Sequence, residues 1–135
     1  MLKKEDAVTH SNADGKKEMK FDLEERTSVY GESCIRFALQ IPVGPVTEPL
    51  IKQFVKSSTS IGANYSEAND AESKKDFRHK IGICRKESKE TKYWLRMIAT
   101  TVPTLRDPAA TLWQEAKELN LIFSAIRRSC DKNNT

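Results

Sequence analysis

The sequence predicts an all-α fold: an antiparallel up-down-up-down four-helix bundle of one domain. Three observations predict it. Four segments carry apolar or small residues at alternating steps of three and four, the spacing of one helix face packed on others. Proline, glycine or polar breakers separate these segments. No segment alternates with a period of two for long enough to make a strand. Helices joined by short loops become antiparallel neighbours.

The first seam is Leu23, Thr27, Tyr30, Cys34, Phe37 and Ile41, closed by Pro42, Gly44 and Pro45. The second is Thr47, Ile51, Phe54, Ser58, Ile61, Tyr65 and Ala68. Thr47 before Glu48 and Pro49 suits a helix N-terminus. The polar stretch from Glu67 to Ser73 ends that helix. The third seam, Phe77, Ile81, Cys84, Ser88, Thr91, Leu95 and Ile98, is the clearest. Ser73 with Asp76 three residues on resembles a capping box, and the helix runs to about Thr101, roughly 43 Å at the helical rise. Pro103 lies just beyond. The fourth seam is Leu112, Ala116, Leu119, Phe123, Ile126 and Cys130, with Asp107 and Pro108 as its predicted start. Residues 1–20 are polar and aperiodic, so they read as a disordered tail, with the bundle over 21–130 and a C-terminal tail over 131–135. The start MLKKEDAVTH holds no apolar run of a signal peptide, and no run is long enough to cross a membrane. The expected setting is the cytoplasm.

Cysteine usage agrees. Cys34, Cys84 and Cys130 all fall on seams, where a free thiol packs as a small hydrophobe. The net charge of +4 and pI near 9.0 form a modest bias. Its distribution says more, because Arg78, Arg85, Lys89, Lys92 and Arg96 repeat at helical spacing on the third helix. Clustered cations attract polyanions and release their counterions, so these five residues are the candidate contacts to RNA or DNA. No aromatic residues interleave with these cations as a single-strand stacking platform requires. The competing reading is a solvated face on a protein-interaction module.

Catalytic and metal chemistry find no support. A bundle-core two-metal site needs Glu-x-x-His motifs, and the chain has none among its two histidines, His10 and His79. No zinc set, phosphate-binding glycine loop or G-x-S-x-G elbow is present. The expectation is a non-enzyme with no catalytic residue, no metal and no cofactor. Glu87 and Glu90 flank small seam residues, and together with Asn64 they are the candidates for a structural polar layer that fixes register. Ile83, Trp94, Met97, Trp113, Leu121 and Ile122 lie off the seams. Trp94, Met97 and Trp113 are the best anchors for an oligomer interface.

Over residues 59–98 the chain resembles a known family. The segments SIGANYSE (60–67), AESKKDF (71–77) and Lys86, Glu87, Glu90, Thr91, Tyr93, Trp94, Leu95 are similar to the signature of the bacterial four-helix bundle proteins. That family comprises proteins encoded in intervening sequences of 23S rRNA genes, and it is related to the accessory variability determinant of diversity-generating retroelements. The resemblance weakens over the first helix. It implies an up-down bundle assembled as a homopentamer, with no catalytic residue and no cofactor. For the retroelement relatives it implies binding to nucleic acid and to a reverse transcriptase.

Overall fold

The computed structural model describes the backbone of residues 15–133 and the side chains of residues 23–132. The described residues form four α-helices, one 3-10 turn and no strand: α1 Gly15–Ala38, α2 Thr47–Asn69, α3 Lys74–Thr101, the 3-10 turn Pro103–Leu105, and α4 Arg106–Asn133. Two boundaries differ from expectation. Residues 15–20 belong to α1, and α4 continues through residues 131–133, so helix extends past both limits of the 21–130 span. Polar residues without an apolar period still extend a helix that packing has already nucleated, since propagation costs far less than initiation. The rest of the expected tail, residues 1–14, lies outside the described residues.

The seams form the core. Phe54, Ile61, Ile81, Leu95, Ile98, Leu119 and Phe123 have no more than 1 % of their surface exposed. Every seam residue of α1 is buried, and Ile51, Phe77, Leu112, Ile126 and Cys130 are half-buried at the edges. Phe37 meets Phe54 edge-on at 5.8 Å, and Tyr65 meets Phe123 at 5.9 Å, which ties α1 to α2 and α2 to α4. Gly62 permits the α1–α2 approach, because a Cβ there would stand 3.3 Å from the Thr27 carbonyl oxygen.

Local chemistry sets the ends. Ser73 accepts the Asp76 amide at 3.0 Å, which is the expected cap of α3. Thr47 starts α2 but spends its hydroxyl on the loop. It donates to the Pro42 carbonyl at 2.6 Å and accepts the Gly44 amide at 2.8 Å. Helix α4 starts at Arg106, ahead of the expected Asp107–Pro108, because the 3-10 turn feeds straight into it. Pro108 then falls in the first turn, where no amide has an intrahelical partner.

Between α2 and α3, Glu67 pairs with Lys80, the Cys84 thiol points at the Ile61 carbonyl, and Thr91 meets Ser57. Between α3 and α4, Arg78 pairs with Asp131, Asn120 donates to the Arg85 carbonyl at 2.8 Å, and Lys92 covers Trp113. Between α1 and α4, Arg26 grips Glu115 at 2.7 and 2.8 Å, and Tyr30 donates to the Leu112 carbonyl at 2.8 Å.

Candidate functional site

The five cations predicted on α3 do not share one fate. Arg78 is bound to Asp131 of α4, so its charge is already neutralised. Arg85 and Lys89 are exposed, Lys92 is half-buried, and with Lys86 these three line a groove of about 400 Å³. Asn120 and Ser124 of α4 form its other wall. Asn120 holds that wall in place, since its amide also approaches Ser88 Oγ at 3.2 Å. Arg96 lies past the groove, in a neighbouring apolar slot of about 400 Å³ with Leu95, Ala99, Arg106, Ala109, Ala110 and Trp113.

Helix α4 keeps Glu115 and Glu118 away from this groove. Glu115 and Glu118 both bind Arg26 of α1. Residues 113, 117, 120 and 124 recur at three and four and share a stripe whose centre is about 170° round the helix from Glu115 and about 130° from Glu118. The α3–α4 seam therefore gathers Arg85, Lys86, Lys89, Lys92, Arg96, Arg106 and Lys117, with Asp131 spent on Arg78. Arg127 adds to the seam at the Arg78 end. Its guanidinium lies over Gly82, in the space a Cβ would take, and its buried Nε has no hydrogen-bond partner.

The expected polar layer is built from other residues. Asn64 donates to the Ser60 carbonyl within its own helix at 2.8 Å. Glu90 is exposed, and Glu87 is half-buried. Partial burial, with Glu90 close by, raises the Glu87 carboxyl above its ordinary range, while Lys86 and Lys56 oppose the shift. Small polar side chains near Glu87 and Glu90 cross between helices instead, Thr91 to Ser57 at 3.0 Å and Asn120 to Ser88 at 3.2 Å. Short hydroxyls reach across a close seam, whereas the longer Glu side chains swing to its edge.

The interface anchors also separate. Trp94 is half-buried against the core and makes an edge contact with Tyr93 at 4.9 Å. Met97 is half-buried one turn on, and Tyr93 is 55 % exposed. Trp113 stands on α4 with 36 % of its surface exposed, under Lys92 at 5.4 Å and Lys117 at 5.9 Å. Lys92 and Trp94 are two residues apart, which puts them on opposite sides of α3. Trp113, reached from Lys92, is thus not part of the Trp94 patch.

Burial pushes the Cys34 and Cys84 thiols up to about 12, so both stay protonated. Among the described residues, no three or more His, Cys, Asp or Glu side chains are grouped to hold a metal, and no helix is long and apolar enough to cross a membrane. His79 is exposed, and His10 lies outside the described residues. The sequence reading did not pick out Lys117, Arg106 or Arg127. The four-residue spacing of Trp113 and Lys117 was the available signal.

The family described as 23S rRNA-intervening sequence protein matches residues 47–125. Among solved structures, the chain is similar to a Bacteroides thetaiotaomicron protein of unknown function from the S23 ribosomal protein family. That likeness has a TM-score of 0.68 and 29% identity, and it covers 77% of this chain and 96% of the other. No curated protein matches the chain.

Proposed function

The chain belongs to the 23S rRNA-intervening sequence protein family, and from that premise we propose that it is a non-enzymatic, oligomeric bundle that binds nucleic acid through the α3–α4 seam. One observation carries the reading. Four cations line a single groove, and the two carboxylates at that level of the facing helix, Glu115 and Glu118, are tied to α1 instead. A merely solvated face would leave those carboxylates free to alternate with the cations and screen them.

The proposed topology is the antiparallel up-down-up-down bundle. Its support is the order of the contacts. On α2 and α3 the pairs 57–91, 61–84 and 67–80 climb one helix and descend the other, and the α3–α4 and α1–α4 pairs do the same. The proposed assembly is a homopentamer, a number taken from the resemblance. The contact face we assign to it is the Tyr93, Trp94 and Met97 patch, because partly exposed aromatic side chains suit a subunit contact. Closed rings repeat every surface, so a weak groove gains avidity.

The test is binding of labelled RNA and DNA by the full chain across a salt series. Retention at low salt that weakens steeply with added salt is expected, with a log–log slope of about −0.7 to −0.9 per phosphate contact. Replacing Arg85, Lys89 and Lys92 together by Gln is expected to weaken binding to all sequences and to flatten that slope. No retention at low salt, or an unchanged slope in the triple variant, overturns the reading in favour of a protein-interaction module built on the Tyr93–Trp94 patch. The partnership with a reverse transcriptase rests on the resemblance alone, and a reverse transcriptase gene beside this one is its simplest support.

A further inference from the structure

The cationic groove ends at an aromatic ring. Lys92 belongs to both, since it lines the groove and covers Trp113. Beyond Trp113 the seam turns apolar, with Leu95, Ala99, Ala109 and Ala110 forming a slot rimmed by Arg96 and Arg106. From Arg85 to Ala99 the strip is about 21 Å long at the helical rise. It therefore offers phosphate contacts first, then a flat hydrophobic wall with guanidinium groups at its edge.

That order discriminates between forms of nucleic acid. A duplex keeps the faces of its bases stacked inside and presents phosphates and groove edges. The cations serve a duplex, but Trp113 and the slot offer it nothing. A single strand exposes both phosphates and base faces, and an aromatic ring next to a cationic track is how sequence-tolerant single-strand sites are built. The aromatic residue absent from the α3 cation run is supplied by α4. A second copy of this chain suits the slot poorly, because the rim is cationic and each copy brings the same positive surplus, +4 by sequence.

We infer that the strip binds single-stranded nucleic acid, with the backbone along Arg85, Lys86, Lys89 and Lys92 and one base stacked on Trp113 in the α3–α4 slot. This rests on the nucleic-acid reading above and specifies its ligand. The two lysines over the ring do not block it. Phosphates flanking that base give both ammonium groups new partners.

The experiment measures binding of the full chain to a fluorescently labelled oligo(dT) and to a blunt duplex of equal length, across a salt series. Unmodified protein, Trp113→Ala, Trp113→Phe and the Arg85, Lys89, Lys92 triple Gln variant are compared. Trp113→Ala is expected to weaken oligo(dT) binding by about 5- to 100-fold, the range that loss of one stacked base gives. Its salt slope should stay unchanged, because no phosphate contact is lost. Duplex binding should stay within about twofold. Trp113→Phe should recover most of the lost affinity. In a Trp94→Phe background, where Trp113 is the remaining tryptophan, oligo(dT) should quench the fluorescence and duplex should not. Equal losses on both ligands, or oligo(dT) binding unaffected by Trp113→Ala, overturn the single-strand inference while leaving nucleic-acid binding in place. Failure of the unmodified protein to bind either ligand overturns both.

Discussion

Thr91→Val tests the polar contact inside the α2–α3 seam. It keeps the side-chain shape and removes the hydroxyl that crosses between the helices. Thr91 Oγ1 lies 3.0 Å from Ser57 Oγ and 2.8 Å from the Glu87 carbonyl, and one hydrogen serves one of them at a time. Ser57 donates its own hydrogen to the Phe54 carbonyl at 3.2 Å. Thr91→Val therefore leaves the buried Ser57 oxygen short of a donor, a cost of about 1 kcal/mol. Ser57→Ala should cost less than that, because Thr91 can turn its hydrogen onto the Glu87 carbonyl. In the double variant neither partner is left wanting, so its cost should not exceed that of Thr91→Val alone. The implied coupling is about 0.5–1 kcal/mol. Urea unfolding followed by circular dichroism measures all three variants, with an unchanged m-value confirming that the unfolded state is comparable. On heating, about 1 kcal/mol corresponds to roughly 4 °C for a domain of this size. Strict additivity of the two single substitutions, within about 0.3 kcal/mol, would refute the reasoning.

Four further outcomes follow from the same structure. Phe54→Ala removes a fully buried ring packed edge-on against Phe37 and should cost about 3–5 kcal/mol, read from the thermal midpoint. Glu87→Gln should raise the urea midpoint slightly at pH 7. A carboxyl whose folded pKa is raised stabilises the fold only while protonated, so the advantage of Gln should vanish below about pH 4, and a lowered midpoint at pH 7 would instead mark Glu87 as a needed structural acceptor. Cys34 and Cys84 are held neutral in the folded state up to about pH 12, whereas unfolded thiols ionise near 8.5, so stability should fall as pH rises between those values. A Cys34→Ala, Cys84→Ala variant should show a smaller alkaline loss. In native protein, a thiol reagent followed by mass spectrometry should find half-buried Cys130 labelled first.

Seam residues were legible because burial follows a period. The alternation that selected Phe54, Ile81 and Leu119 is itself the geometry that buries them. The Ser73 cap was legible for a similar reason, as it is a contact between neighbours in the chain. Partners across the bundle were not. Nothing near Asn64 or Glu87 in sequence says that Asn64 will bond within its own turn, or that Ser57 will be the hydroxyl opposite Thr91. The basic face shows the same split. Periodicity placed Arg85, Lys89 and Lys92 together, but only the pairing of α3 with α4 removes Arg78 onto Asp131 and adds Trp113 and Lys117. The start of α4 moved by one residue, from Asp107 to Arg106, where the 3-10 turn ran into it, because turns of both kinds satisfy the same amides.

A net charge of +4 over 135 residues is too small to define a polyanion surface by itself. The structure concentrates it by sorting α4 into two edges. Glu115 and Glu118 meet Arg26 on one edge, and Trp113, Lys117, Asn120 and Ser124 face α3 on the other. Arg26 therefore does more for the groove than an exposed ion pair does for stability, where pairs of this kind contribute little. It holds two negative charges on the far side of α4, away from Lys89 and Lys92. The groove cations are exposed or half-buried, while the seam that folds the chain lies beneath them. Core and groove cations thus share α3 without sharing residues. Substitutions at Arg85, Lys89 or Trp113 change what the surface can bind and leave Ile81, Cys84, Leu95 and Ile98 to hold the helix in place.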